Sequence, residues 1–418
     1  MAEKYDVIVV GASIAGCTAA ALLARDGLRV ALLEAHRDEN MYKRLCTHFI
    51  QSSATPTIEG LGIAAELDAL GAVHNLGDLW TSYGWVREPE SVPGCPPYGY
   101  SVRRSVLDPL LRRTAAAAPT VELMLGAKVV DLVLDGDGRV GGVDARTSEG
   151  RVEIRGRLIV GADGKSSKIA ELADLPGHEV PNNRFGYMAH YRNVGLSDWR
   201  RSKLWLLDNG DGVYVFPNDD GVAVLATMPG KARLDEFRGG DTEKALLSMY
   251  DGLSEAPDLS AAERVSDVIG AVDYPSILRP RITAPGVALI GDAAMVCDPL
   301  WGLGCGFAFQ SAEWLAQEVS PVLRAGGEVD RATERYAKTH ARRLRPHFKL
   351  TSDFSKVRTF NRLERLLFGG APYDEVVADA FWRYGTRNAS PAALLSPRVL
   401  TRAARVHRRA KAAATSAG

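Results

Sequence analysis

Three carboxylate side chains in this sequence, Glu34, Asp163 and Asp292, each follow a short apolar run of the kind that forms a buried strand. A carboxylate at the end of a strand can accept hydrogen bonds from the hydroxyl groups of a ribose or of a similar polyol. An aspartate in this place is also often only a helix cap or a turn residue. A nucleotide site requires, in addition, groups that approach phosphate closely.

A glycine-rich turn before Glu34 supplies such groups. Gly11 permits a tight turn, and Gly16 permits close packing of a helix against a strand. Ser13 replaces the middle glycine of the usual G-x-G-x-x-G pattern, but its side chain is small and its backbone N–H still faces the positive end of a helix. Ordinary βα turns also contain glycines, so the turn alone is weak support for a nucleotide site.

The elements around this turn form a βαβ unit. Residues 7–10 and 30–33 are apolar runs that predict parallel strands, and residues 14–25 predict the helix between them. Glu34 closes the second strand at the distance expected for a carboxylate that binds a ribose. The strand, the helix and the terminal acid together predict a dinucleotide cofactor.

A second glycine-rich turn follows Asp292. The sequence Asp298-Pro299-Leu300-Trp301-Gly302-Leu303-Gly304-Cys305-Gly306 precedes a predicted helix at about 307–323. A backbone without side chains lets a planar ring approach closely, and its N–H groups can stabilise negative charge on that ring. Asp292 is placed to bind a ribityl hydroxyl.

These three motifs, in this order, resemble the FAD-dependent aromatic hydroxylase family and its relatives, which include flavin-dependent halogenases, epoxidases and geranylgeranyl reductases. The resemblance covers most of residues 1–325 and implies FAD as the cofactor, with NAD(P)H as its reductant. Arg104 matches the arginine of the family's R-x-x-L helix, and Arg44 matches a second flavin-side arginine more loosely. Met295 departs from the histidine that many hydroxylases have. The predicted cofactor-binding residues are Gly11, Ser13, Ile14, Ala15, Gly16, Glu34, Arg44, Arg104, Val129, Asp163, Asp292, Pro299, Gly302 and Gly304.

The resemblance and the strand patterns together predict an α/β fold with three parts. The Rossmann-like FAD-binding domain is expected in the segments 1–75, 100–178 and 280–345. An antiparallel β-sheet domain that binds the substrate is expected in 76–99 and 179–279, because short alternating runs there are separated by Asn, Asp and Gly turns. A C-terminal helical region is expected in 346–418.

Composition limits the function further. The 418 residues are 46% hydrophobic and have a formal net charge of zero, so the overall charge of the protein does not favour binding of nucleic acid. The five cysteines form no C-x-x-C pair or metal-ligand cluster, which fits reduced thiols in a cytoplasmic protein without a metal. No apolar run reaches membrane length and no signal peptide is expected.

The C-terminal part is basic, since residues 342–411 contain 16 Lys or Arg and 5 Asp or Glu. This segment is expected to be a solvated outer helical face, with contact to a membrane surface or an acidic carrier protein as the less favoured alternative.

Aromatic residues near the predicted flavin side are candidates for the substrate pocket, and about half are expected to be core residues instead. His48 is the candidate catalytic base, which would deprotonate a phenol; the alternative is a hydrogen-bonded structural histidine. The pocket candidates are Tyr98, Tyr100, Trp205, Tyr214, Phe216 and Trp301.

The resemblance leaves the reaction open between several classes. The leading hypothesis is an FAD-dependent monooxygenase that hydroxylates or epoxidises an apolar or aromatic small molecule through a flavin hydroperoxide, in secondary metabolism. It is reduced by NAD(P)H or by a partner flavin reductase. The alternatives are a reductase of carbon-carbon double bonds, a halogenase-like enzyme and a non-redox FAD-binding scaffold. The segment 212–217 lacks the tryptophans of the halogenase motif and the Tyr and Trp of the reductase motif, but Phe216, Pro217 and Cys46 fit the reductase form.

Overall fold

The computed structural model describes residues 5–416, and the side chains of residues up to 409. Its strands fall into three sheets, and most of its longer helices lie in the C-terminal third of the chain. The strands are β1 Tyr5–Val10, β2 Val30–Glu34, β3 Phe49–Ile50, β4 Val73–Thr81, β5 Gly84–Arg87, β6 Gly99–Ser101, β7 Val121–Leu125, β8 Lys128–Leu134, β9 Val140–Thr147, β10 Gly150–Gly161, β11 His178–Val180, β12 Gly186–Arg192, β13 Arg201–Leu206, β14 Gly212–Pro217, β15 Ala223–Met228, β16 Glu263–Arg264, β17 Ile269–Ala271, β18 Ser276–Leu278, β19 Thr283–Ala284, β20 Val287–Leu289 and β21 Met295–Val296. The α-helices are α1 Ile14–Arg25, α2 Thr55–Leu61, α3 Ala64–Ala69, α4 Arg104–Ala116, α5 Lys168–Leu172, α6 Leu234–Arg238, α7 Thr242–Ser248, α8 Gly304–Arg324, α9 Asp330–Phe354, α10 Arg362–Gly370, α11 Glu375–Gly385, α12 Pro391–Leu394 and α13 Pro397–Ser416.

The first sheet has the strand order β19-β20-β10-β1-β2-β7 and is parallel from β20 to β7. Its central strands are apolar runs with both faces covered, as parallel sheets require, and every residue of β2 is buried. The strands β20, β10, β1 and β2 end at one edge, which brings together the motifs at residues 11, 34, 163 and 292. The predicted Rossmann-like fold is confirmed.

The second sheet follows the order β16-β12-β15-β14-β13-β4-β6-β3. Its strands β12 to β15 match the four alternating runs that predicted an antiparallel sheet, while β13 and β4 are parallel. The sheet also includes β3 and β6, although the predicted boundaries assigned residues 49–50 and 100–101 to the FAD-binding domain. It therefore runs from the substrate side into the cofactor side without a break.

Helices α9 to α13 form a C-terminal helical region, whose first helix begins at residue 330, before the predicted boundary at 346. They cover one face of the second sheet and share an apolar cluster with it, which contains Phe216 of β14, Phe368 of α10 and Tyr384 of α11. Arg387, at φ 65°, fastens this region to the cofactor side by donating to Gln310 Oε1 at 2.8 Å and to Ser53 Oγ at 2.8 Å. Among the described residues, no helix has the length and apolarity needed to cross a bilayer.

Candidate cofactor and substrate site

The turn after β1 has no room for side chains at its glycines. Gly11 has φ 105°, and a Cβ there would lie 2.5 Å from the carbonyl oxygen of Ala162. A Cβ on Gly16 would lie 1.8 Å from the carbonyl oxygen of Gly11. Helix α1 can therefore begin directly against the strand ends, with Ile14 and Ala15 in its first turn. Its N-terminal N–H groups point to the site where a diphosphate would bind.

Glu34 stands beside this turn at the end of β2. Its carboxylate accepts the backbone N–H of Ala12 at 2.9 Å and that of His36 at 2.9 Å. Only 7% of the residue is exposed. These bonds hold the carboxylate over the turn. Oε1 also lies 3.0 Å from Nδ1 of His36, while Oε2 accepts the N–H of Ala12 and keeps a lone pair for a ribose hydroxyl.

Arg104 connects two of the predicted motifs. It opens α4, is 3% exposed, and donates through Nη2 to Ser13 Oγ at 2.7 Å. Its Nε donates to Asp108 Oδ1 at 2.7 Å, one helical turn further on. Asp108 thus fixes the guanidinium of Arg104 behind the glycine turn, where a diphosphate would carry negative charge.

Asp292 forms an ion pair with Lys43, whose Nζ lies 3.0 Å from Asp292 Oδ2. The Asp292 charge raises the pKa of the Lys43 ammonium, so that the ammonium stays charged. Lys43 was not predicted as a site residue, because it lies 249 residues from Asp292 in a segment without regular structure. A bound ribityl chain would share Asp292 with this lysine.

Two predicted cofactor residues have other partners here. Arg44 is 62% exposed in its side chain and pairs with the exposed Asp267 at 2.9 Å, at the border of the second sheet. Asp163 accepts Ser167 Oγ at 2.5 Å and the backbone N–H of Ile169 at 3.1 Å, so it stabilises the start of α5. Val129 is a buried residue of β8. Arg44 and Asp163 thus have partners within the protein, and Val129 lies in the core.

The second glycine turn is held from below by Asp298, a fully buried carboxylate. It accepts the N–H of Leu300 at 2.7 Å and the side-chain amide of Asn182 at 2.9 Å. Pro299 begins the short 3₁₀ turn that follows. Gly302 has φ 62°, and a Cβ there would lie 3.0 Å from the ring of Phe49. The two glycine turns and the strand-end carboxylates thus form a cradle that fits FAD.

Gly304, the first residue of α8, has no protein atom within 4 Å of the Cβ position. The turn is therefore open on the side where the resemblance places the isoalloxazine ring.

An apolar cavity lies between this turn, the second sheet and the C-terminal helices. Its free volume is about 90 Å³, which is smaller than that of most ligand-binding pockets. Its two ionic side chains, Asp78 and Lys203, are already paired. Asp78 forms ion pairs with Arg87 and Arg201, and Lys203 forms one with Glu255. The lining includes Phe49, Gln51, Leu79, Leu204, Tyr214, Phe216, Leu300, Trp301, Gly302, Leu303, His347, Leu350, Phe381, Trp382 and Tyr384.

Three of the predicted pocket residues, Tyr214, Phe216 and Trp301, line this cavity. Trp205 lies on the opposite face of the second sheet, where its indole donates to the carbonyl of Ser254 at 2.8 Å, because side chains alternate between faces along a strand.

Tyr98 and Tyr100 were also predicted to face the pocket, but they pack beside His74. The Tyr98 ring stacks on that of His74 with centroids 3.7 Å apart. Tyr100 is fully buried in the cofactor-side core.

His48 has both ring nitrogens engaged. Nδ1 accepts the backbone N–H of Arg104 at 3.1 Å, so Nε2 carries the proton of the neutral ring and faces Nε2 of His190 at 2.8 Å. Burial is the main cause that lowers the pKa of His190 to about 4, so that His190 is neutral and accepts this bond. This geometry matches the structural alternative for His48, because no ring nitrogen is left for a substrate.

The cavity wall from α9 and α11 was missed by the sequence reasoning. His347 stacks on Tyr384 with centroids 4.8 Å apart, and burial lowers the pKa of His347 to about 3. Their helices were predicted only as an outer region. The signal that was present is the run of aromatic residues at 381–384 within a helical period.

Comparison with protein families gives one match that covers most of the chain. The family described as FAD binding domain matches residues 4–346, which includes both glycine turns and all three strand-end carboxylates.

Two curated relatives are both digeranylgeranylglycerophospholipid reductases. The chain is 25% identical over 356 residues to digeranylgeranylglycerophospholipid reductase of Thermoplasma volcanium, covering 80% of this chain and 83% of the relative. It is 30% identical over 311 residues to digeranylgeranylglycerophospholipid reductase 1 of Methanopyrus kandleri, covering 72% of this chain and 76% of that relative.

Among solved structures, the flavin-dependent brominase Bmp2 has a TM-score of 0.77 at 18% identity, covering 99% of this chain and 100% of that one. This similarity concerns the fold, and it extends over the C-terminal helices.

Proposed function

Because the chain belongs to the FAD binding domain family, we propose that this FAD-dependent oxidoreductase is a reductase that saturates carbon-carbon double bonds of a polyprenyl chain. The proposal rests mainly on the two reductase relatives, one of them 30% identical. Their name denotes a lipid with geranylgeranyl chains. The monooxygenase reaction that was the leading hypothesis from the sequence becomes the second candidate.

The cavity supports this choice. It is apolar and lies against the Gly302 turn. An unactivated alkene needs a dry, oriented position beside the flavin and offers no group for an enzyme base to deprotonate. A phenol hydroxylase gains from such a base, and both nitrogens of His48, the predicted base, are occupied.

When bound, FAD would supply the hydride chemistry that no side chain can provide. The residues of this chain would have three tasks. Arg104 and the α1 N-terminus would hold the diphosphate, and the backbone of Gly302 and Gly304 would face the ring. The aromatic side chains of Tyr214, Phe216 and Trp301 would hold the alkene and exclude water.

One observation favours the monooxygenase candidate. The reductase form of the 212–217 motif has an aromatic residue two positions before the one that corresponds to Tyr214. In this chain that earlier position is Gly212. A Cβ on Gly212 would lie 2.8 Å from the Tyr214 hydroxyl and 3.0 Å from Leu300. A tyrosine cannot replace Gly212 without rearrangement, so the cavity wall differs from that of the reductase motif.

The electron source belongs to the same proposal. NAD(P)H would reduce the flavin directly, or a partner flavin reductase would deliver the electrons. Anaerobic mixing of the FAD-loaded protein with NADH and with NADPH, followed at the flavin absorbance, distinguishes direct reduction from dependence on a partner.

A single experiment separates the two reactions. The FAD-loaded protein is reduced with dithionite under anaerobic conditions and then mixed with a geranylgeranyl lipid. The mass of the product is measured by mass spectrometry. The reductase proposal expects flavin reoxidation and a mass gain of two hydrogens per reduced double bond. Product only after addition of labelled oxygen, with the label incorporated, would replace the reductase by a monooxygenase.

A further inference from the structure

Two cysteines face each other inside the candidate site. The sulfur atoms of Cys46 and Cys305 are 3.7 Å apart, although the residues are 259 positions apart in the sequence. Cys46 lies in the segment between β2 and β3, which also carries Lys43, and it is partly exposed. Cys305 is 8% exposed and is the second residue of α8, next to Gly304. The pair thus lies between two segments that both border the cofactor cradle.

The two thiols differ in acidity in a way that favours reaction between them. The hydrogen bond from the Cys305 S–H is the main cause that lowers the pKa of Cys46 well below its usual range; the His48 side chain and the charge of Arg104 also lower it, and burial opposes them. The backbone N–H of His48 donates to the Cys46 sulfur at 3.2 Å. The pKa of Cys305 is raised by the Cys46 sulfur and by burial. A thiolate beside a neutral thiol is the arrangement of a nucleophile with a resolving partner.

The other three cysteines lack these features. Cys17 and Cys297 are buried, and burial raises the pKa of both thiols. Burial also raises the pKa of Cys95, which lies in the loop between β5 and β6. Among the five cysteines, all within the described chain, Cys46 is the one with thiolate character.

We propose that Cys46 and Cys305 are a peroxide-sensitive pair that forms a reversible disulfide across the site. The Cys46 thiolate attacks hydrogen peroxide, forms a sulfenic acid and releases hydroxide. The Cys305 thiol, losing its proton, then displaces the sulfenic hydroxyl as water and closes the S–S bond. Overall, two thiols are oxidised by two electrons and one peroxide is reduced to two waters. A disulfide needs sulfur atoms about 2.05 Å apart, so the two segments must move together to close the present distance of 3.7 Å.

The bond would tie the Lys43 segment to the first turn of α8. Since both segments border the cradle, the disulfide should slow the entry and exit of FAD without removing any group that binds it. This consequence does not depend on whether the enzyme is a reductase or a monooxygenase.

The test is thiol mapping of the purified FAD-loaded protein. The protein is treated with hydrogen peroxide, its remaining thiols are alkylated, and its proteolytic peptides are analysed by mass spectrometry. We expect two alkylation sites to disappear together, one linked peptide pair containing Cys46 and Cys305, and recovery of both sites with dithiothreitol. This readout uses the wild-type protein, so it does not depend on the folding of any variant.

Matched variants test the pairing. Cys95→Ser should form the same linked peptides, whereas Cys46→Ser and Cys305→Ser should not. FAD release from the oxidised protein should slow several-fold in the wild type and in Cys95→Ser only. Oxidation of Cys46 to a sulfinic acid without a linked peptide, or linkage of either residue to another cysteine, would overturn the proposal.

Discussion

At the scale of single residues, the cofactor cradle depends on a few charges that are fixed by long-range contacts. Asp292 is held by Lys43, Glu34 by two backbone N–H groups, and Arg104 by Asp108. Each of these groups is at least partly buried, where hydrogen bonds to charged groups contribute more than they do in water.

Replacing Asp292 with Ala should weaken FAD binding by about 1–3 kcal/mol, because a charge-assisted hydrogen bond to the ribityl chain is lost. Fluorescence titration of the apoprotein with FAD measures the change. Asp273→Ala is the control, since Asp273 is an exposed carboxylate paired with Lys231. Equal dissociation constants for the two variants would exclude Asp292 from the flavin site.

Glu34→Arg should reduce FAD affinity more than Glu34→Gln. Glutamine keeps one acceptor oxygen for the N–H groups of Ala12 and His36, whereas arginine offers only donors beside those N–H groups. The same titration compares the two variants. If they bind FAD equally well, Glu34 does not bind the ribose.

The residue-scale contacts were also the hardest to predict. The pairs His48–His190 and Lys43–Asp292 join residues 142 and 249 positions apart, and no local pattern links them. Glu34, Gly11 and Gly302 were found because a turn or a strand end limits the local choice of residues.

At the scale of elements, the second glycine turn and α9 determine how the site responds to substitution and to pH. The turn combines one glycine with a left-handed backbone and one at an open position, so the two glycines should tolerate substitution differently.

Gly302→Ala should destabilise the apoprotein by about 1–2 kcal/mol, because a φ of 62° is unfavourable for a residue with a side chain and the added Cβ would lie against Phe49.

Gly304→Ala should leave the apoprotein stability unchanged, since its Cβ contacts no neighbouring side chain or element. It should instead disturb the bound flavin and raise the share of reducing equivalents lost to hydrogen peroxide. Urea denaturation measures the first effect and a peroxide assay the second. A Gly304 variant with wild-type peroxide yield would show that the ring lies elsewhere.

Helix α9 should make the protein sensitive to acid. Burial lowers the pKa of His340 to about 4, below the value near 6.5 of an unfolded chain. Between these two pH values the unfolded state therefore binds more protons than the folded state. The free energy of unfolding is unaffected by protonation of His340 above pH 6.5 and decreases as the pH falls toward 4. At pH 5 the loss from His340 is about 2 kcal/mol.

Urea midpoints at pH 7 and pH 5 measure this loss. His340→Gln should reduce the difference between the two midpoints, while the exposed His178→Gln should leave it as in the wild type. An undiminished difference in His340→Gln would mean that other groups cause the acid sensitivity.

Strand patterns predicted the elements well but not which face each residue takes. The runs at 186–192 and 212–216 became β12 and β14, and both faces of β14 are buried. Since neither face carries a polar signature, the sequence could not distinguish the cavity face of Tyr214 from the opposite face on which Trp205 lies.

At the scale of the whole molecule, the C-terminal helices complete the cavity instead of forming a separate outer layer. Phe381, Trp382 and Tyr384 of α11 line it together with Tyr214 of the second sheet. The sequence predicted the helices from their period, but their packing partner lies more than 150 residues earlier and leaves no local trace.

A chain that ends at residue 356 should therefore lose the closed cavity. It would expose the apolar face around Leu79 and Phe216 that now packs against α10 and α11. We expect such a chain to bind a hydrophobic dye strongly and to aggregate, although it contains the whole segment matched by the family. A monomeric truncated chain with wild-type dye binding would show that the helices are dispensable for folding.

The order of strands in the first sheet also has a consequence for how the chain folds during synthesis. The first of the described strands in chain order, β1, lies in the sheet between β2 and β10, and β10 in turn pairs with β20. The apolar edge of β1 stays unpaired until residue 161 has been made, and that of β10 until residue 289. Such late, long-range pairing makes folding slow and leaves unpaired, aggregation-prone strand edges exposed in the nascent chain. Expression at low temperature or with chaperones should raise the yield of soluble protein more than any surface substitution.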